Sequence, residues 1–431
     1  MQKKYSENLI ECINNSPCSF LAINNVKSKL ESQGFENLNN KSKWNLEKNK
    51  KYFITRNDSC LIGFIVGENA EDGFKIIGSH TDSPSFMIKS NAEINSNNFL
   101  KLNTEGYGGM IISTWLDRPL SIAGRVVLKG KNVFSPQSKI IDFKKPIAII
   151  PNLAIHLNRE INNGHKYSKQ KEMLPLLSLT GENFNEKGYL NSLLAKELNV
   201  AEQDILSYEL FLYEVEKGKL IGINEELISS SRLDDLMMVY NSLEAFLEYG
   251  KSNKFNGIKV LLLSDNEEVG SKTGQGADSA LLRDTLKRIC LSLFNDKEMF
   301  YNMLEKSIVI SADLAHGVHP NYSDKHDPTN LPVLGKGVCL KYSANQKYST
   351  TGIGSAIFDF LCNETGIQYQ KFVNHSDVIG GSTIGSMVAS QLNIPVIDFG
   401  VCILAMHSIR ELGSVNDVYD CFKLFCKFYE L

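Results

Sequence analysis

Ile258-Lys259-Val260-Leu261-Leu262-Leu263-Ser264-Asp265-Asn266-Glu267-Glu268 is an apolar run that ends abruptly in carboxylates. Its first six residues predict a strand, and the charged group then lies just past the strand's carboxyl end. Working outward, helix and strand patterns alternate on the C-terminal side. A helix is predicted over Ala277 to Arg288, a strand over Ile308 to Ile310, a helix over Ile353 to Asn363, a strand over Pro395 to Asp398 and a last helix after Ser414. A helix from Leu233 to Tyr249 precedes the opening strand. Alternation of this kind predicts an α/β fold, a mostly parallel mixed sheet covered by helices on both faces.

The N-terminal part reads the same way. Two helices fill the first forty residues, the second opening at Ser16-Pro17, carrying Phe20, Ile23, Val26 and Leu30 on one side and stopping at Gly34. Strands follow at Tyr52 to Thr55, Leu61 to Val66 and Phe74 to Ile77, the last ending in Gly78-Ser79-His80. Between about 90 and 225 the texture changes to short β-rich runs, such as Gly124 to Gly130, divided by Gly, Pro and Asn. The chain is therefore expected to place residues 1–89 and 230–431 in one domain, interrupted by an inserted β-rich domain over 90–229.

Composition narrows the function classes. The chain has 431 residues, 42% of them hydrophobic and 22% charged, enough for two or three domains with a sizeable core. A net charge of −3 gives no bias toward nucleic acid or an anionic membrane surface. No apolar stretch has the length of a membrane span, and no signal-peptide core follows the basic start. Nine scattered cysteines without a C-x-x-C pair fit reduced thiols, so a cytoplasmic protein without cysteine-held zinc is expected.

In an open α/β sheet ligands bind beyond the carboxyl ends of the strands. The polar residues at those ends form a set: His80, Asp265 to Glu268, Asp313 with His316 and His319, and His407; Asp234 stands where the chain leaves the insert and a helix begins. Singly, each has a plainer reading. Asp234 alone is a helix N-terminal carboxylate, Glu267-Glu268 a solvated pair, and His80 or His407 a hydrogen-bonded histidine at a core edge. His165, His326 and His375 are read in that plainer way. Together they suggest more. Asp82, two residues after His80, can accept the spare imidazole N–H and fix the tautomer. Two adjacent glutamates can divide a ligand's work from a base's. Two imidazoles and three carboxylates without a thiolate suit zinc or a similar divalent ion.

Seven motifs in order extend this set: Gly78-Ser-His-Thr-Asp-Ser-Pro84, Ala154-Ile-His-Leu157, Ser231-Arg-Leu-Asp234, Asp265-Asn-Glu-Glu-Val-Gly-Ser271, Ser311-Ala-Asp-Leu-Ala-His316 with His319-Pro-Asn-Tyr322, Gly381-Ser-Thr-Ile-Gly385 and Met406-His-Ser-Ile-Arg-Glu411. In these the chain resembles the aspartyl aminopeptidases, co-catalytic dizinc exopeptidases, over nearly its whole length. The resemblance implies zinc-dependent removal of N-terminal residues from peptides, with a preference for Asp or Glu. It implies two Zn2+ per subunit, replaceable by Mn2+ or Co2+: His80, Asp234 and Asp313 would hold one ion, and Asp234 as bridge with Glu268 and His407 the other. Glu267 would be the general base. His316, Lys341 and Tyr348 would line the substrate pocket, and His156 of the insert would reach a neighbouring subunit's site. The insert would mediate homodimers within a tetrahedral dodecamer.

Two departures from the family pattern, Gly380-Gly381 before Ser382-Thr383 and Val401-Cys402 after Asp398-Phe-Gly400, bear on the shape of the pocket rather than on the ligands. The alternatives are another dizinc hydrolase of the same clan, such as a dipeptidase or an amino-acid deacylase, and a non-catalytic oligomeric metal-binding protein. Glu267 argues against the latter, because a structural site has no use for a second, non-ligating glutamate.

Overall fold

The computed structural model describes residues 1–181, 187–250 and 255–431 and divides the chain into two compact units. The first comprises Met1–Asp82, Gly218–Met406 and Glu411–Leu431; the second comprises Ser83–Lys217 with His407–Arg410.

Among the described residues the first unit carries a nine-stranded sheet in the order Glu36–Asn37, Lys51–Arg56, Cys60–Val66, Asn256–Ser264, Asn69–His80, Ile308–Ala312, Val396–Gly400, Val338–Tyr342, Tyr369–Val373. The three central pairings, from Asn256–Ser264 through Asn69–His80 and Ile308–Ala312 to Val396–Gly400, are parallel. Antiparallel pairs flank them, so the sheet is mixed with a parallel centre. Parallel neighbours in register bring their carboxyl ends to one edge, where His80 lies opposite Ser264.

Alternation along each strand divides its side chains between two cores. Ile258, Val260 and Leu262 pack with the helices Leu281–Phe294, Glu298–Leu304 and Ile384–Leu392. Leu261 and Leu263 face the opposite core with the helices Gln2–Asn14, Ser19–Ser32, Leu233–Tyr249, Gly352–Thr365 and Val415–Glu430. Burial on both faces explains the near-continuous apolar run. Lys259 interrupts it, yet is only 1% exposed, its ammonium 4.4 Å from the Tyr249 ring centre and 3.8 Å from that of Phe255.

Several boundaries differ from those expected from sequence. The second helix begins at Ser19 rather than Ser16, with extended Cys18 as its cap residue. The helix expected from Ala277 begins at Leu281, where the Ser279 hydroxyl accepts the Leu281 N–H at 3.3 Å. The short helix Glu298–Leu304, the helix Ile384–Leu392 and the strands Val338–Tyr342 and Tyr369–Val373 add to the elements expected from periodicity.

The second unit is built on a six-stranded antiparallel sheet with its own apolar core, which includes Phe86, Trp115, Ile122, Leu210 and Leu212. It begins earlier than residue 90 because Ser85 already pairs with Tyr107. It ends before 229 because Leu227–Ser230 pairs with Glu411–Ser414 of the first unit. No described helix is long and apolar enough to cross a membrane.

Candidate active site

His80 ends its strand with almost no exposure, and its imidazole is held from both sides. Nδ1 lies 3.1 Å from the Asp82 carbonyl oxygen and 3.5 Å from its carboxylate, while Nε2 is 3.4 Å from Asp234 Oδ1. Asp82 is the acceptor expected from sequence, and of its oxygens the main-chain one is nearer. Its carboxylate also serves the neighbouring turn, where Oδ1 and Oδ2 accept the backbone N–H groups of Glu267 and Glu268, each at 3.1 Å. One side chain thereby fixes the turn on which both glutamates ride.

That turn is local in origin. Asn266 adopts a left-handed conformation, φ 62°, which asparagine tolerates, and its amide oxygen accepts bonds from Thr273 and Gln275 at 2.8 and 2.9 Å. A 3₁₀ turn, Glu267–Val269, follows. Asp234 sits at the non-helical start of Leu233–Tyr249, its N–H donated to Glu411 Oε2 at 3.0 Å. Asp313 directly follows the Ile308–Ala312 strand and lies 3.5 Å from the buried Lys341 ammonium.

These placements converge. Ligand-capable atoms of His80, Asp234, Asp235 and Asp313 lie within 4.8 Å of one another, as do those of His80, Glu267 and Glu268. Asp235 is absent from the set expected from sequence. It is fully buried and its Oδ2 accepts the backbone N–H of His80 at 3.1 Å, and the only signal for it in the sequence is the Asp234-Asp235 doublet.

The electrostatics are those of a site built for a cation. Burial, together with repulsion from Asp313, Asp82 and Asp234, pushes the Glu267 carboxyl up to about 7 against the pull of His80. Burial also raises Asp313, with Asp234 adding to it and Lys341 opposing. Burial raises Asp235 well above the carboxylate range. Burial disfavours a charge on His80, but Asp235, Asp234, Asp82 and Glu267 override it and hold its pKa well above the usual value. Oxygen-rich buried clusters with one imidazole and no thiolate match the donor preferences of a borderline divalent ion, and such an ion offsets the repulsion. The residues fit zinc.

The remaining candidates are distributed as follows. Lys341, 2% exposed, also stands 5.3 Å from the Tyr348 ring, and the Tyr348 and His316 rings each meet that of Phe372 at a steep angle with centres 5.9 Å apart. Lys341 therefore has an in-chain carboxylate partner in Asp313. His316, His319, Lys325, His326 and His375 line a cavity of about 320 Å³ in the first unit. His326 and His375, incidental by their sequence context, thus share a wall with His316; they are far apart in the chain, and no spacing rule links them. His165 remains a surface residue paired with Glu172 at 2.7 Å. His156 lies in an exposed turn of the second unit, Ala154 accepting the Leu157 N–H, with Ile155 and Leu157 exposed beside it. His407 belongs to the second unit as well. Its Nδ1 is 2.6 Å from the Gly109 carbonyl, which sets the tautomer with the lone pair on Nε2.

A doubly covered α/β sheet with a buried imidazole and carboxylate cage at the carboxyl ends of its strands defines a protein built to hold a divalent metal. The particular kind follows from comparison. The family profile described as "Aminopeptidase I zinc metalloprotease (M18)" matches residues 12–429. A relative from Clostridium novyi (strain NT), "Probable M18 family aminopeptidase 2", is 49% identical over 431 residues, covering 99% of each chain. Among solved structures, a chain of the Ape4 and Nbr1 complex is 33% identical with a TM-score of 0.95, covering all of this chain and 86% of that one. The S. cerevisiae mApe1 dodecamer is 26% identical with a TM-score of 0.87, over 99% and 96%. The chain belongs to the M18 family of zinc aminopeptidases, and it is a metallo-aminopeptidase.

Proposed function

We propose that this aminopeptidase uses two zinc ions, replaceable by Mn2+ or Co2+, and prefers peptides that begin with Asp or Glu. His80, Asp234 and Asp313 would hold one ion; Asp234, Glu268 and His407 would hold the other. Bound zinc supplies Lewis acidity toward the scissile carbonyl and the attacking water. The observation that carries the reading is the Asp82-held turn, which presents a prospective ligand, Glu268, beside a prospective base, Glu267. Glu267 takes the proton of the attacking water on its carboxylate and returns it to the departing amine. The same carboxyl serves both steps, first as base and then as acid.

The acidic preference is supported by the histidine-lined cavity, which has Lys325 and four imidazoles but no carboxylate among its described lining residues. Tyr348 and Lys341 border this region through Phe372, with Lys341 acting on an acidic substrate as well as on Asp313. Self-association is supported by the dodecameric mApe1, and the second unit would mediate homodimers within a tetrahedral dodecamer. In it, exposed His156 would enter a neighbour's site. The reduced cysteines support a cytoplasmic location.

The test is turnover of a panel of aminoacyl chromogenic substrates before and after chelation, with zinc, manganese or cobalt restored. Asp- and Glu-substrates should lead and chelation should abolish turnover. A preference for leucine would refute the acidic assignment, and full turnover without divalent metal would refute the mechanism.

A further inference from the structure

The four residues His407–Arg410 leave the first unit after Met406 and rejoin it at Glu411. The departure is closed at its base by paired bonds between Leu404 and Leu412, N–H to oxygen at 2.9 and 3.0 Å. Within it the backbone is forced into an uncommon region, with Ala405 at φ 57° and His407 at φ 65°. Non-glycine residues rarely hold this conformation unless their surroundings over-determine it. For His407 the second unit supplies those surroundings. The Ile111 N–H donates to the His407 carbonyl at 2.9 Å, the Thr114 hydroxyl accepts the Ile409 N–H at 3.0 Å, and the Ile409 side chain is buried in the second unit's core.

A further tie is ionic. Arg410 reaches Glu214 Oε2 at 2.9 Å and donates to the Glu216 carbonyl at 2.8 Å. Glu214 is 3% exposed, ends the strand Ile205–Glu214 and also pairs with Arg118. Arg118 in turn donates to the Thr114 carbonyl at 2.8 Å, so the ion pair and the Ile409 contact are parts of one network. A buried carboxylate between two guanidiniums is worth little for stability alone, but it fixes geometry when both partners are needed.

We propose that Arg410, anchored on Glu214 and the Glu216 carbonyl, is a positioning residue for His407: it holds the His407–Arg410 segment so that the imidazole is presented in one orientation with Nδ1 on the Gly109 carbonyl. The inference rests on the reading of His407 as a zinc ligand. Groups that orient a metal-binding histidine typically contribute 10- to 100-fold in metal affinity. Arg410→Met should therefore weaken one zinc-binding step.

The experiment is calorimetric titration of zinc into chelator-stripped full-length protein, with thermal unfolding recorded alongside. The variants are Arg410→Met, Arg410→Lys, His407→Ala and, as control, Arg125→Met, which breaks the Arg125–Glu209 pair elsewhere in the same unit. Arg410→Met should weaken one step by roughly tenfold or more and leave the other nearly unchanged, Arg410→Lys should recover part of the loss, and Arg125→Met should titrate as wild type. Titration of Arg410→Met as wild type, or equal weakening in Arg125→Met, overturns the proposal. If His407→Ala itself titrates as wild type, the ligand assignment falls instead. Should Arg410→Met not fold, Thr114→Ala, which removes the Ile409 anchor, is judged by the same criterion.

Discussion

Asp82→Asn isolates the device on which the catalytic reading depends. Asp82 is 4% exposed, and its two oxygens accept the N–H groups of Glu267 and Glu268 at 3.1 Å each. Asparagine keeps one acceptor but turns an NH2 toward the other backbone N–H. One charge-assisted bond is lost and two donors oppose each other in a buried place, a cost of about 1.5–3 kcal/mol. The loss falls on the turn rather than on the sheet beneath it, so it biases the turn away from the arrangement that aims Glu267. At about 1.36 kcal/mol per decade, kcat should drop by roughly 10- to 150-fold. The assay is steady-state turnover of an Asp-substrate at saturating zinc, with thermal unfolding and zinc content measured on the same preparation. Turnover within twofold of wild type would show that the glutamates keep their places without Asp82 and would refute the reasoning.

Glu267→Gln should retain its zinc and lose at least about 100-fold in turnover, while Glu268→Gln should lower zinc content; elemental analysis with kinetics separates them. Co-refolding inactive His156→Ala with inactive Glu267→Gln should restore roughly a quarter of wild-type activity, since half the random dimers are mixed and each has one intact site. No recovery in proven mixed oligomers would place His156 in its own chain's site. Lys259 titrates far from these groups: burial lowers it to about 7, Lys75 adding to the effect and Glu430 opposing. The folded form therefore favours the neutral amine, and stability falls as pH drops from about 10.5 toward 7. Lys259→Met should raise stability by roughly 1–3 kcal/mol at pH 7, with the gain shrinking toward pH 10. Denaturant midpoints across that range check it, and a pH-independent difference would count against it.

The sequence by itself determined the fold class and much of what stands at the strand ends. Period and length mark buried strands and amphipathic helices, and in a parallel sheet whatever follows a strand must lie at the common edge. His80, Glu267, Glu268 and Asp313 were legible on that ground, and so was the span Leu233–Tyr249, although Asp234 and Asp235 at its start are not helical. The sequence did not determine what depends on contacts between distant segments. Asp82 holding a turn 185 residues away, buried Asp235 beside His80, and Lys341 facing Asp313 are such contacts. So is the gathering of His316, His326 and His375 around one cavity. The His407–Arg410 segment shows why. Its motif marks it as polar and special, but its membership in the second unit is decided by Glu214, Thr114 and Gly109, reached only after the chain has folded back across about 200 residues or more. Periodicity is a local property of the chain, whereas these pairings are set by packing and charge in three dimensions, and so only the tertiary structure decided them.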